Sequence, residues 1–128
     1  MTNGKKYLLP RILIAFLAIF MAAATIPAYF NPTFNPGLAT VTGSAATLGE
    51  TAGAFLGRQM TVILITLIGA FTGIRHLVMI GGFGMMFMNG HDAIFMGLGG
   101  GPQSAAIGGL VFAIIAAVAI ILVWRQKD

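Results

Sequence analysis

Arg58, Gln59, His91 and Asp92 are the residues with the greatest chemical reach in this chain: a cation, an amide, an imidazole and a carboxylate set in strongly apolar sequence. Placing one ionisable side chain at the centre of a bilayer costs roughly 2.5 to 3.5 kcal/mol on insertion scales, so such groups persist there when they are paired or used. Three readings fit them. Arg58 snorkels to the outer headgroups while His91 and Asp92 sit in a loop; or Arg58 and Asp92 clamp two helices together; or the group serves a substrate or a proton, with an imidazole that changes charge in the physiological range.

Other combinations carry less. No Ser-His-Asp set, paired carboxylates or HExxH motif is present, so hydrolysis has no evident carrier. Without cysteine there is no disulfide, thiolate nucleophile or cysteine-ligated metal site. His76 and His91 are separated by most of a helix and cannot share a metal within one monomer. Met79, Met85, Met86, Met88 and Met96 are read as gap-filling core residues rather than soft-metal ligands. The glycines at 82, 84 and 97–101 lack the strand-to-helix setting of a dinucleotide loop. Neither a metal nor a cofactor is expected.

The elements that hold these residues follow from hydropathy. Of 128 residues, 58% are hydrophobic and 8% charged, far from the quarter expected of a soluble domain. The net charge is +4 and the pI about 10.2. The cations stand at the ends of apolar runs and no basic-aromatic stripe exists, so anionic lipid headgroups fit as partner and nucleic acid does not.

No charge occurs between Arg11 and Glu50. A first membrane helix is expected over 8–30, with Tyr29 and Phe30 at the interface. A cleaved signal peptide is the competing reading, with Lys5, Lys6 and Arg11 as its positive region and Ala22-Ala23-Ala24 as its cleavage site. A loop opened by two Asn-Pro turns, at Asn31 and Asn35, spans 31–46, and proline blocks glycosylation at both. Thr47-Leu48-Gly49-Glu50 fits a capping box, which starts a second helix over 48–73, with Gly69 and Gly73 as a small-residue contact. A short basic turn, 73–76, leads to a third helix over 77–96. Asn89-Gly90 inside it resembles a C-cap, although the apolar run resumes at Ala93. The fourth helix, 104–124, carries Ala105, Gly109, Ala113 and Ala117 as a close-packing ridge and Trp124 at the interface.

Four spans put Lys5, Lys6, Arg11, Arg75, Arg125 and Lys127 on one side and leave Arg58 toward the other, so both termini are expected in the cytoplasm. Three spans would separate the two terminal basic clusters. In the four-span arrangement the helices alternate in direction, and Arg58 and Asp92 both fall roughly 6 to 8 Å below the outer boundary. Gln59 and His91 share that level.

Gly57-Arg58-Gln59 at the membrane part of helix two, the basic turn at Arg75 and Asp92 late in helix three resemble the pattern of DoxX-like small four-helix membrane proteins, over about 52–95. The resemblance implies a four-helix membrane bundle and Arg58 and Asp92 as candidate functional residues. Some members of that group are associated with quinone-linked sulfur oxidation or membrane redox complexes.

The expectation is an all-α membrane protein of the inner or plasma membrane, with four antiparallel helices and no enzymatic activity, in contact with the bilayer and with a second copy or a partner subunit. Two further classes stay open: a membrane subunit of a quinone-linked redox complex, and a small proton-coupled transporter. The transporter would rely on Asp92 or Glu50, which both lie toward the outer side, whereas a transport acid is expected at the midplane.

Overall fold

The computed structural model describes residues 5–126, so the first four residues, Lys127 and Asp128 lie outside it. Four α-helices account for most of the described chain: α1 (Leu8–Thr25), α2 (Thr51–Thr72), α3 (Arg75–Leu98) and α4 (Gln103–Arg125), and no strand occurs among the described residues. The bounds of α2, α3 and α4 lie within three residues of those expected, whereas α1 stops at Thr25, five residues short of the expected 30.

Tyr7 precedes α1 in a left-handed conformation, φ 56°. The helix ends at Thr25, two residues before Pro27, which has no N–H to donate and whose ring clashes with the preceding turn. From there the chain runs through short 3-10 turns, Pro27–Tyr29, Pro32–Phe34 and Pro36–Leu38, each with proline at its first position. Proline suits that position because its φ is already set and the missing N–H is not needed. Asn31 and Asn35 cap the second and third turns, their side-chain oxygens accepting from the N–H groups of Thr33 and Gly37.

The capping box expected at Thr47 and Glu50 does not form. A further 3-10 turn, Gly43–Ala46, takes Thr47 as its extended C-cap, and the Thr47 hydroxyl donates back to the Ser44 carbonyl at 2.7 Å. Glu50 becomes the N-cap of α2 with no side-chain capping bond. The helix starts at Thr51 with Glu50 as its N-cap, so Thr47 and Glu50 do not occupy the N-cap and N3 positions that a capping box needs.

The connection from α2 to α3 is tighter than expected, with only Gly73 and Ile74 between the helices, and Arg75 and His76 belong to α3. Gly73 has φ 67°, a left-handed cap that residues with a Cβ adopt at a cost. Asn89-Gly90 is no cap. The helix continues to Leu98 because the Asn89 amide donates to the Met85 carbonyl one turn back, at 2.8 Å, and does not serve a chain reversal.

Aliphatic side chains, methionines and small residues fill the interior. Leu17, Ala18, Met21, Ile63, Met85, Met88 and Ala116 form the main core cluster. At Gly109 an added Cβ would lie 2.7 Å from the Asn89 carbonyl oxygen, so α3 and α4 approach backbone to backbone there. The ridge expected on α4 is displaced: its buried residues are Ala106, Gly109, Ala116, Ala119 and Val123, and Ala105, Ala113 and Ala117 are only half-buried. A strict four-residue step gains about 40° of rotation each time, whereas alternating steps of three and four stay on one face.

Large apolar side chains cover the outside instead. Phe16, Ile19, Phe71, Phe87, Phe95 and Ile114 are each more than half exposed. Contiguous apolar surface of this kind is destabilising in water and marks contact with a membrane or a partner. Three stretches are long and apolar enough to cross a bilayer: Leu8–Tyr29, Gly43–Thr72 and Gln103–Arg125. The third helix has 24 residues but is not among them, its hydropathy lowered by several glycines and by Asn89, His91 and Asp92.

Candidate functional site

The structure divides the four sequence-derived residues between two neighbouring arrangements. Arg58, near the start of α2, reaches Asp92, near the end of α3, through two parallel hydrogen bonds: Nη1 to Oδ1 at 3.1 Å and Nη2 to Oδ2 at 2.8 Å. This fork-on-fork geometry is the strong form of the arginine-carboxylate contact. The Arg58 guanidinium also lies 5.0 Å from the centre of the Phe55 ring, one turn earlier on the same helix. His91 Nδ1 is 3.3 Å from Asp92 Oδ1, and its ring packs between Phe87 and Phe95, with centroids 6.2 and 4.6 Å away. The Asp92 side chain is 14% exposed against 40% for Arg58, so the carboxylate is the more enclosed partner.

Gln59 does not join this group, which corrects the expected four-residue cluster. It shares the depth of Arg58, but neighbouring helical residues point about 100° apart, and Gln59 turns into the bundle. Its Oε1 accepts from the Thr25 hydroxyl and from Asn35 Nδ2, both at 2.8 Å. All three residues are buried. This network ties the end of α1 and the Asn35 turn to α2, and satisfied polar networks of this kind help to fix a unique packing.

Thr25 and Asn35 did not stand out in the sequence. Asn35 read only as a turn former, which it also is, since its Oδ1 accepts from the Gly37 N–H at 2.9 Å. Asn89 was likewise read as a helix cap; it is buried in mid-helix, with Nδ2 directed at the Met85 carbonyl and at the sulfurs of Met21 and Met85. Only an unusual density of amides in apolar sequence could have signalled them.

A cleft of about 220 Å3 joins the two arrangements, with Gln59, Asn89, Asn35, Asp92 and Ser104 on its wall among Phe20, Phe55, Phe112, Met21 and Met96. The rings of Phe20 and Phe112 meet edge-on at 5.5 Å. A mainly apolar concavity with a few converging polar groups is the usual form of a small-molecule site. Among the described residues no group of three or more His, Asp or Glu side chains is arranged to hold a metal.

At the opposite end of the bundle Arg11 has a role beyond that of a flanking cation. Its Nε donates to the Ala70 carbonyl at 2.6 Å and its Nη2 to the Phe71 carbonyl at 3.0 Å. A cation at the last carbonyls of α2 offsets the negative end of the helix dipole and supplies donors that those groups lack.

No family model, curated protein or solved structure matches this chain.

Proposed function

We propose that this is a non-catalytic, four-span integral membrane protein of the inner or plasma membrane, with antiparallel helices and both termini in the cytoplasm. In this reading the Arg58–Asp92 pair fastens α2 to α3 near the outer face, beside a mainly apolar cleft with a few polar groups on its wall. The observation that carries it is the spread of apolar side chains: phenylalanine, isoleucine and leucine cover the outside as well as the core, while Thr25, Asn35, Gln59, Thr66 and Asn89 are buried within the bundle. In water that distribution is destabilising, and in lipid it leaves the polar groups facing one another.

The order of contacts along the helices supports the antiparallel arrangement. Arg11 meets Phe71 while Thr25 meets Gln59; Gly69 approaches Leu77 while Arg58 meets Asp92; Gly82 approaches Ile120 while Gly97 approaches Ala106. The connections on either side of α3 leave little room for it to lie outside the bilayer while its neighbours cross. Its lower hydropathy comes from residues that face partners, Asn89 within the bundle and Asp92 against Arg58. The likeness to DoxX-like proteins is part of the proposal and rests on Gly57-Arg58-Gln59, Arg75 and Asp92.

Extraction of membranes with alkaline carbonate tests the class. The protein is expected to stay with the lipid pellet and to be released by detergent alone. Release by carbonate would place it on the membrane surface and overturn the proposal.

A further inference from the structure

Two amide groups on the cleft wall are left half-used, and the network around them fixes which half. The Gly37 N–H donates to Asn35 Oδ1, so Asn35 presents its Nδ2 to Gln59. The atom of Gln59 that accepts it is therefore Oε1, which also takes the Thr25 hydroxyl. The other end of the Gln59 amide, Nε2, has two N–H donors and no hydrogen-bond partner among the described residues. Asn89 is the mirror case. Its Nδ2 is committed to the Met85 carbonyl, and its Oδ1, an acceptor, has no partner among the described residues. Both side chains belong to residues no more than 9% exposed, and both line the cleft.

An unpaired amide group that faces an apolar space is stabilised when a ligand pairs it, and one ligand can pair both. Such a ligand offers one acceptor, for Gln59, and one donor, for Asn89. The charge balance makes it neutral. Asp92 is the one charged side chain on the cleft wall, and its oxygens are already engaged by Arg58 and His91. A phosphate would meet that carboxylate, and a cation would compete with Arg58. The rest of the wall, with Phe20, Phe112 and Met96, suits hydrocarbon. Phe20 and Ser104 are exposed at its edge, so the cleft is open to the surrounding phase.

We infer that the cleft binds an uncharged, hydroxyl-bearing glycerolipid of the monoacylglycerol class, with Gln59 Nε2 donating to an ester or hydroxyl oxygen and Asn89 Oδ1 accepting from a hydroxyl. The inference rests on the membrane reading only in that the ligand arrives from the bilayer.

The test is binding of 1-monooleoylglycerol to the full chain in detergent, read by native mass spectrometry and by the thermal shift. Methyl oleate, which lacks hydroxyls, and phosphatidylglycerol, which is anionic, serve as competitors. Gly108 lines the cleft, and a Cβ there meets nothing within 4 Å, so Gly108→Leu fills the space without disturbing the packed core. Monooleoylglycerol is expected to bind one to one, about tenfold tighter than methyl oleate. Gly108→Leu is expected to abolish binding while keeping its own melting transition, and Asn89→Leu to weaken binding about tenfold. If Asn89→Leu does not fold, Gly108→Leu alone decides. Equal binding of methyl oleate, tighter binding of phosphatidylglycerol, or unchanged binding in Gly108→Leu would each overturn the inference. A protein that resists carbonate extraction yet fails this test loses the ligand and keeps the membrane assignment.

Discussion

Arg58 and Asp92, 34 residues apart in sequence, join α2 to α3 through two parallel hydrogen bonds. Around them the outer surface of the helices is apolar, so the pair is a local exception that each helix tolerates because the other supplies the opposite charge. Removing one partner leaves the other uncompensated, and that penalty, more than the net attraction, is what a single substitution exposes.

Arg58→Ala and Asp92→Ala are each expected to lower thermal stability in detergent, by about 1 to 2 kcal/mol, a range discounted for the 40% exposure of the Arg58 side chain. The double variant should lose less than the sum of the two, by on the order of 1 kcal/mol. Unfolding curves for the four proteins measure this directly, and strict additivity would mean that the contact contributes nothing.

Gly73 is doubly constrained. Its φ of 67° disfavours a side chain, and an added Cβ would lie 2.9 Å from Arg11 Nη1. Gly73→Ala is expected to destabilise by about 1 to 2 kcal/mol. The control is Gly57→Ala, mid-helix and facing open space, which should be neutral or stabilising by up to about 1 kcal/mol. Equal melting temperatures for the two variants would argue against the tight α2–α3 reversal.

Gln59→Leu keeps the side-chain bulk but removes the acceptor for Thr25 and Asn35. Leaving two buried groups without their partner should cost about 2 to 4 kcal/mol. Thr25→Val removes one donor while Asn35 still serves the same oxygen, so its cost should be nearer 1 kcal/mol. Thermal denaturation that ranks Thr25→Val as the more damaging variant would contradict the hydrogen-bond network described here.

Much of the fold was legible because hydropathy and punctuation set the helices: Gly73 and Pro102 fall at or just outside boundaries that the sequence suggested, whereas Pro27 lies inside the expected 8–30 and ends α1 early. The meeting of Arg58 and Asp92 was legible too, since position along a helix is only residue count times rise. Direction around the helix was harder to read. Gln59 lies at the same depth as Arg58 but faces the interior, and with every face of these helices apolar there is no amphipathic stripe to orient them. The same lack of contrast hid which small residues of α4 pack inward. Thr47, Asn89 and Arg11 were misread or only partly read for another reason. Their side chains bond to backbone groups, of the preceding turn, of the same helix and of α2, and the local motif does not say which of several carbonyls will be nearest. The cleft, assembled from all four helices and the Asn35 turn, has no local signature at all.

The most direct test of the central claim, that α3 crosses the bilayer with its three neighbours, is single-cysteine accessibility in intact cells, which the absence of native cysteine makes clean. Cysteines introduced one at a time at Thr42, Ile74, Gln103 and Gln126, all outside the helical interior, are exposed to an impermeant thiol reagent. Four spans with both termini cytoplasmic predict labelling at Thr42 and Gln103, and labelling at Ile74 and Gln126 only after permeabilisation. Protection of Gln103 together with labelling of Gln126 would mean that α4 runs the other way across the membrane, that α3 does not cross, and that the four-span arrangement is wrong.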